Sequence, residues 1–74
     1  MSLVLVTRQG CHLCDQALEM LHELGAQPEL ADVDADDALY ELYDWRVPVL
    51  LLNGQVIAEG RLDRDSLRKA LEGV

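Results

Sequence analysis

Short apolar runs alternate with stretches of helical periodicity along this chain. Apolar runs bounded by turn-forming residues predict four strands, at residues 2–7, 29–33, 49–52 and 55–58. Apolar positions with the helical period predict three helices, at residues 11–24, at residues 36–43 and from Asp63 onward. The predicted order is therefore strand, helix, strand, helix, strand, strand, helix, an α/β fold in which helices flank a four-stranded mixed sheet.

Turn and cap residues indicate how these elements connect. Gly25 follows the first helix as a C-terminal cap, and Leu62 and Leu67 have the spacing of a hydrophobic staple around the start of the last helix. Asn53-Gly54 separates the last two predicted strands and is a strong signal for a two-residue hairpin. We expect a right-handed crossover to make the first two strands parallel, and the hairpin to add an antiparallel edge.

The first predicted helix is amphipathic, with one apolar stripe and one polar face. Its core-facing stripe contains Cys14, Ala17, Leu18, Leu21 and Gly25. Its solvated face contains His12, Gln16, Glu19 and Glu23. In the later helices, the apolar positions expected to face the core are Leu39, Leu42 and Tyr43, followed by Leu67, Ala70 and Leu71.

The motif Cys11-His12-Leu13-Cys14 places two thiols at the start of this helix, directly after a strand and Gly10. Backbone N–H groups in a first helical turn lack intrahelical partners and favour a negative charge. We therefore expect Cys11 to be accessible with a depressed pKa, and Cys14 to be shielded by the core. Such a pair suits thiol–disulfide exchange, in which Cys11 attacks a disulfide and Cys14 resolves the mixed disulfide.

Three other roles for the two cysteines remain as alternatives. A structural disulfide that closes a four-residue loop would remove only about 2 kcal/mol of chain entropy. In a zinc site, His22 would have to share the metal with Cys14, but it lies roughly 12 Å further along the helix axis. No second cysteine pair is present to complete such a site, and no metal is expected. The third alternative is two incidental core cysteines.

Composition narrows the class of protein further. The 74 residues are enough for one domain, residues 1–74, and half of them are hydrophobic. The net charge of −8 argues against nucleic-acid partners. The acidic cluster formed by Asp32, Asp34, Asp36 and Asp37 is expected to be a solvated loop and helix cap rather than a divalent-ion site. The sequence shows no signal segment and no long apolar run, so we expect a cytoplasmic protein without a membrane segment. In the reducing cytoplasm, a close cysteine pair is typically catalytic or metal-binding.

Four segments together resemble the glutaredoxin-like branch of the thioredoxin-fold family: residues 7–14, residues 46–50, Asn53-Gly54 and residues 60–63. The resemblance implies a thioredoxin-like fold across the whole chain. It also implies that Pro48 follows a cis peptide bond and packs against the cysteines, and that Val47 offers its backbone to the substrate. In such proteins, Cys11 attacks and Cys14 resolves, and the segment from Gly60 and Arg61 to Asp63 matches the region that holds part of glutathione.

The chain departs from the family pattern between its cysteines, where His12 and Leu13 replace the usual proline and aromatic residue. A protonated His12 would stabilise a neighbouring thiolate, although an exposed polar role is the alternative. The basic residues available to bind glutathione are Arg8, Arg46 and Arg61, each of which is also compatible with a surface arginine.

The sequence therefore predicts a monomeric thiol–disulfide oxidoreductase that reduces disulfides or glutathione mixed disulfides. Glutathione would be a co-substrate, and no bound cofactor is expected. The alternative function is a binding module of the same fold, which docks a protein or ligates an iron–sulfur cluster through Cys11 without exchange activity. A third alternative is a structural or interaction domain whose cysteines are dormant.

Overall fold

In a computed structural model that describes residues 2–72, all seven predicted elements are present in the predicted order. The strands are β1 (Leu3–Thr7), β2 (Glu29–Asp32), β3 (Val49–Leu52) and β4 (Gln55–Glu59). The α-helices are α1 (His12–Glu23), α2 (Asp37–Tyr43) and α3 (Arg64–Glu72). The structure thus confirms the predicted α/β class and element order.

The four strands form one mixed sheet in the order β2-β1-β3-β4. Strand β1 pairs with β2 in parallel and with β3 in antiparallel orientation, and β3 pairs with β4 in antiparallel orientation. Val6 near the end of β1 lies opposite Val49 at the start of β3. The loop after β1 and the residue before β3 are therefore at the same edge of the sheet. These two segments carry Cys11 and Pro48.

Helices cover both faces of the sheet. Successive side chains of a strand point in opposite directions, so β1 and β3 each contribute to both buried clusters. On one face, Leu5 and Leu50 pack in a buried cluster with residues of α1 and α3, namely Ala17, Leu21 and Leu67. On the other face, Val6 and Val49 pack with Val33 and with Tyr43 of α2. Strand β1 therefore buries side chains on both faces of the sheet, Leu5 on one and Val6 on the other.

The predicted cap and hairpin are both present. Gly25 has a φ of 86°, and the N–H of the following residue, Ala26, donates to the carbonyl of Leu21 over 2.8 Å, which closes the end of α1. Asn53 and Gly54 have φ values of 51° and 83°. Positive values at both positions are those of the tight turn that joins antiparallel strands.

Two sequence predictions about the segment from β2 to α2 are wrong in detail. Strand β2 ends at Asp32 rather than residue 33, because Asp32 caps a 3-10 helix at Val33–Ala35 and accepts the N–H of Asp34 over 2.9 Å. Leu42 does not face the core, since it is 58% exposed. It lies at one edge of the apolar arc of a seven-residue helix, about 100° around the helix axis from the buried Tyr43.

The helices of residues 2–72 are also too short or too polar to cross a lipid bilayer.

Candidate active site

The cysteine pair occupies the first turn of α1. Cys11 is the N-cap residue with extended backbone, φ −83° and ψ 106°, and it forms a disulfide with Cys14 at a Cα–Cα distance of 5.2 Å. The backbone N–H of Cys14 donates to Sγ of Cys11 over 3.1 Å. Cys14 is only 1% exposed, whereas Cys11 is partly exposed. The helix therefore presents one sulfur at its amino end and buries the other in the core, as the amphipathic pattern predicts.

A tight turn before α1 fixes the position of Cys11. The N–H of Cys11 donates to the carbonyl of Arg8 over 3.2 Å, and Gly10 between them has a φ of 77°. Glycine is the residue that adopts this left-handed conformation without strain. The carbonyl of Cys11 then accepts the N–H of Asp15 over 3.1 Å, which begins the helix.

The segment before β3 forms the second part of the site. The peptide bond between Val47 and Pro48 is cis, and Pro48 is fully buried while Val47 is partly buried. The carbonyl of Pro48 accepts the N–H of Gly60 over 2.8 Å. The structure thus brings together Val47, Pro48 and Gly60, three residues that the family resemblance assigns to substrate binding.

A groove beside the cysteine pair brings together two more of the predicted site residues. Its volume is about 590 Å³, and it is lined by His12, Leu13, Gln16, Arg61, Leu62 and Asp63. His12 and Arg61 are far apart in the sequence but meet here because α1 and α3 pack on the same face of the sheet. Both side chains are exposed.

The carboxylate of Asp63 at one end of this groove caps α3. It accepts the N–H of Ser66 over 2.7 Å, and this backbone hydrogen bond is the main cause that lowers the pKa of Asp63. The start of α3 at this position matches the sequence prediction. An anion bound at the amino end of α3 would have to share the Ser66 N–H with Asp63.

Arg8 does not provide a free cation for glutathione. Its guanidinium donates to both carboxylate oxygens of Asp34 over 2.9 Å, and it also pairs with the carboxylate of Asp44 and donates to the Asp44 carbonyl over 3.2 Å. The hydrogen bond to Asp34 is the main cause that raises the pKa of Arg8. The same bond lowers the pKa of Asp34.

The sequence contains a signal for the pairing of Arg8 with Asp34 that the prediction from motifs missed. The carboxyl ends of neighbouring parallel strands meet at one edge of a sheet, so residues just after β1 and just after β2 are neighbours. Thr7 lies opposite Asp32 in the register. The prediction of a parallel pair therefore places Arg8 beside the acidic cluster that begins at Asp32.

Arg46 is also engaged by a carboxylate. It donates to the two oxygens of Glu59 over 2.6 Å and 3.1 Å, and its guanidinium carbon lies 5.1 Å from the centroid of the Tyr43 ring. The hydrogen bonds from Arg46 lower the pKa of Glu59. Of the three arginines considered for glutathione, only Arg61 makes no ion pair with another residue of the described chain.

Within residues 2–72, no three side chains of the histidine, cysteine, aspartate or glutamate type are grouped closely enough to hold a metal ion. Three of the four acidic residues of the 32–37 cluster cap helices or pair with Arg8, namely Asp32, Asp34 and Asp36.

Comparisons with known proteins agree with this architecture. The profile of the family described as glutaredoxin-like domain (DUF836) matches residues 2–72. The X-ray structure of the target protein XcR50 from X. campestris is 37% identical in sequence, with a TM-score of 0.84 over 99% of both chains.

Two further solved structures are similar at lower identity. The crystal structure of the thioredoxin-like protein BC3987 is 26% identical, with a TM-score of 0.73 over 93% of this chain and 99% of that one. The buckwheat glutaredoxin–glutathione complex is 25% identical, with a TM-score of 0.65 over 96% of this chain and 69% of that one. The resemblance found in the sequence is confirmed, and the chain belongs to the glutaredoxin-like domain family and has a thioredoxin-like fold.

Proposed function

We propose that this protein is a thiol–disulfide oxidoreductase that reduces disulfides or glutathione mixed disulfides, with Cys11 as the attacking and Cys14 as the resolving residue. The observation that carries the proposal is the unequal environment of the two sulfurs. Sγ of Cys11 accepts a backbone N–H at the helix start, whereas Cys14 is 1% exposed. A negative charge on the first sulfur is therefore stabilised, and the second is protected from external disulfides.

The first half of the reaction uses the reduced protein. The thiolate of Cys11 attacks one sulfur of a substrate disulfide, so that a bond forms between Cys11 and that sulfur while the substrate S–S bond breaks. The other substrate sulfur leaves with the electron pair and takes a proton from solvent. The N–H of Cys14 holds the Cys11 sulfur in place.

The second half releases the substrate. The thiol of Cys14 loses its proton and attacks Sγ of Cys11, and the bound sulfur of the substrate leaves as a thiolate. Two electrons have then passed from the protein to the substrate, and the protein holds the Cys11–Cys14 disulfide found in the structure. Two molecules of a thiol such as glutathione restore the dithiol and are themselves joined in a disulfide. The proposal includes a cytoplasmic location, where the thiol pool is reducing.

Glutathione as a co-substrate is supported by the groove between α1 and α3. The groove adjoins the cysteine motif through His12, and it contains Arg61 as a cation without an ion-pair partner in the described chain. The similar buckwheat glutaredoxin is described as a complex with glutathione. In the proposed arrangement, Arg61 attracts a carboxylate of glutathione, and the backbone of Val47 pairs with its peptide portion.

The test is to trap the intermediate. Cys14→Ser should accumulate a mixed disulfide between Cys11 and glutathione when incubated with oxidised glutathione, because the resolving thiol is gone. Mass spectrometry of the intact protein and its peptides measures this adduct. Cys11→Ser is the matched control and should form far less adduct, because Cys14 is buried.

If only Cys11→Ser accumulates the adduct, the two roles are reversed. If neither variant does and the wild-type protein turns over no disulfide, the oxidoreductase proposal fails. Iron in the protein purified without oxygen, together with no turnover, would instead support the alternative of a binding module.

A further inference from the structure

Trp45 is an exposed aromatic side chain in the segment that leads to Pro48. It is 94% exposed and lies three residues before Pro48, in the turn that connects α2 to β3. An indole so fully in solvent contributes nothing to the core. Tryptophan is, however, enriched among residues that dominate the energy of protein–protein contacts.

The neighbours of Trp45 on both sides are held by ion pairs. Asp44 binds Arg8, whose carbonyl in turn accepts the N–H of Cys11. On the other side, Arg46 binds Glu59. This series of contacts links the turn that carries Trp45 to the turn that carries Cys11. The indole therefore belongs to a turn whose flanking residues are held on both sides, and one of these residues is joined through Arg8 to the turn before Cys11.

The chain beside Trp45 is strongly acidic. Residues 32–44 contain six acidic side chains and no lysine or arginine. Two of these, Asp34 and Asp44, pair with Arg8, whose single positive charge offsets one of their two negative charges. The remaining four are Asp32, Asp36, Asp37 and Glu41. This surface attracts cationic groups, and it repels a second copy of a chain whose net charge is −8.

We propose that Trp45 and the acidic segment 32–44 form a docking surface for protein disulfides whose reacting cysteine lies in a segment rich in lysine or arginine. The inference rests on the proposed oxidoreductase function and names its substrate class. The indole packs on the apolar stems of the basic side chains, and the carboxylates attract their charges. The substrate cysteine then becomes the partner of Cys11 in the mixed disulfide described above.

A binding experiment tests docking without any chemistry. Trp45 is the one tryptophan of the chain, so its fluorescence reports on this position alone. The oxidised protein is titrated with two peptides of equal length in which serine replaces cysteine, one flanked by lysines and one by glutamates. The lysine peptide should change the Trp45 emission at low salt with an affinity at least about tenfold higher than that of the glutamate peptide. High salt should reduce the difference.

A kinetic experiment then connects docking to reaction. The same peptides, now with cysteine as a 2-pyridyl disulfide, react with the reduced Cys14→Ser protein, and the absorbance of released pyridine-2-thione gives a second-order rate constant. A small uncharged pyridyl disulfide serves as reference. The lysine peptide should react about tenfold faster than the glutamate peptide. Trp45→Ala should lower the ratio of the lysine-peptide rate to the reference rate by about fivefold or more.

Val56→Ala is the matched control, because Val56 is 39% exposed and lies near the hairpin, at the edge of the sheet away from the cysteines. Val56→Ala should leave the ratio of the lysine-peptide rate to the reference rate unchanged.

Equal affinities and equal rates for the two peptides would overturn the inference, as would an unchanged ratio in Trp45→Ala. If the small reference probe fails to react, the proposed oxidoreductase function fails. The binding experiment still tests docking in that case, because it involves no reaction. A Trp45 emission that depends on protein concentration, with dimers in sedimentation, would assign the surface to a second copy and overturn the inference.

Discussion

At the scale of single residues, the two thiols of the pair differ in access and in charge stabilisation. Cys11 is partly exposed at the amino end of α1, and Cys14 is 1% exposed beneath it. In the reduced protein, we expect the free N–H groups of the first turn to stabilise the thiolate of Cys11. The thiol of Cys14 is shielded from solvent and from external reagents.

Alkylation measures this difference. With iodoacetamide, Cys11 in the Cys14→Ser variant should react with a pH midpoint below about 8.5, the value of an ordinary thiol. Cys14 in the Cys11→Ser variant should react much more slowly at every pH where the protein is folded. Indistinguishable rate profiles for the two thiols, both with midpoints near that ordinary value, would contradict the assignment of roles.

The arginines show what single-residue reasoning from the sequence could not establish. Arg8, Arg46 and Arg61 are equivalent candidates in the sequence, because a cation near a site says nothing of which carboxylate reaches it. The structure pairs the first with Asp34 and the second with Glu59, across separations of 26 and 13 residues. Within residues 2–72 Arg61 makes no ion pair, so only the tertiary arrangement separates it from the other two arginines.

At the scale of elements, the apolar periodicity predicted each helix but not every buried position. In α1, Cys14, Ala17 and Leu21 are buried as their stripe predicts. In α2, Leu42 is exposed although it shares an apolar arc with Leu39 and Tyr43. A helix of seven residues presents only a narrow face to the sheet, so the position at the edge of the arc stays in solvent.

The difference in burial between Leu21 and Leu42 predicts that substitution by alanine lowers the free energy of unfolding by unequal amounts at the two positions. Leu21→Ala removes a fully buried side chain and should lower the free energy of unfolding by about 2–5 kcal/mol. Leu42→Ala, the control, should change it by no more than about 0.5 kcal/mol, because that side chain is mostly in solvent. Urea unfolding followed by circular dichroism measures both. Similar losses for the two variants would show that Leu42 is buried after all.

At the scale of the whole molecule, the antiparallel pairing of β1 with β3 brings the cysteine motif and Pro48 to one edge of the sheet. The predicted crossover relates β1 only to β2, and the predicted hairpin relates β3 only to β4, so the direction of β3 against β1 comes from the structure. The apolar periodicity could not predict that α1 and α3 pack on the same face of the sheet. It shows which side of each helix is buried, but not which face of the sheet that side contacts. The groove that joins His12 to Arg61 depends on that choice.

The charges of the molecule make its stability depend on pH. The pKa values of Asp34, Glu59 and Asp63 lie below their ordinary values of 3.8, 4.5 and 3.8, through hydrogen bonds from Arg8, Arg46 and the Ser66 N–H respectively. A carboxylate with a lowered pKa in the folded state stabilises the fold above its ordinary value. The contribution is lost as the pH falls through the folded-state value. Protonation also reduces the net charge of −8 and its self-repulsion, which acts in the opposite direction.

A pair of matched variants separates these two effects of acid. Glu59→Gln and Glu41→Gln each remove one negative charge and so change the net charge equally, but only Glu59 has an ion-pair partner, Arg46, in the described chain. At about pH 7, Glu59→Gln should therefore be less stable than Glu41→Gln in urea unfolding. The difference should shrink as the pH falls below the ordinary value of Glu59 and vanish once both glutamates of the wild-type protein are protonated. A difference that stays constant between about pH 7 and pH 3 would mean that the ion pair with Arg46 does not stabilise the fold.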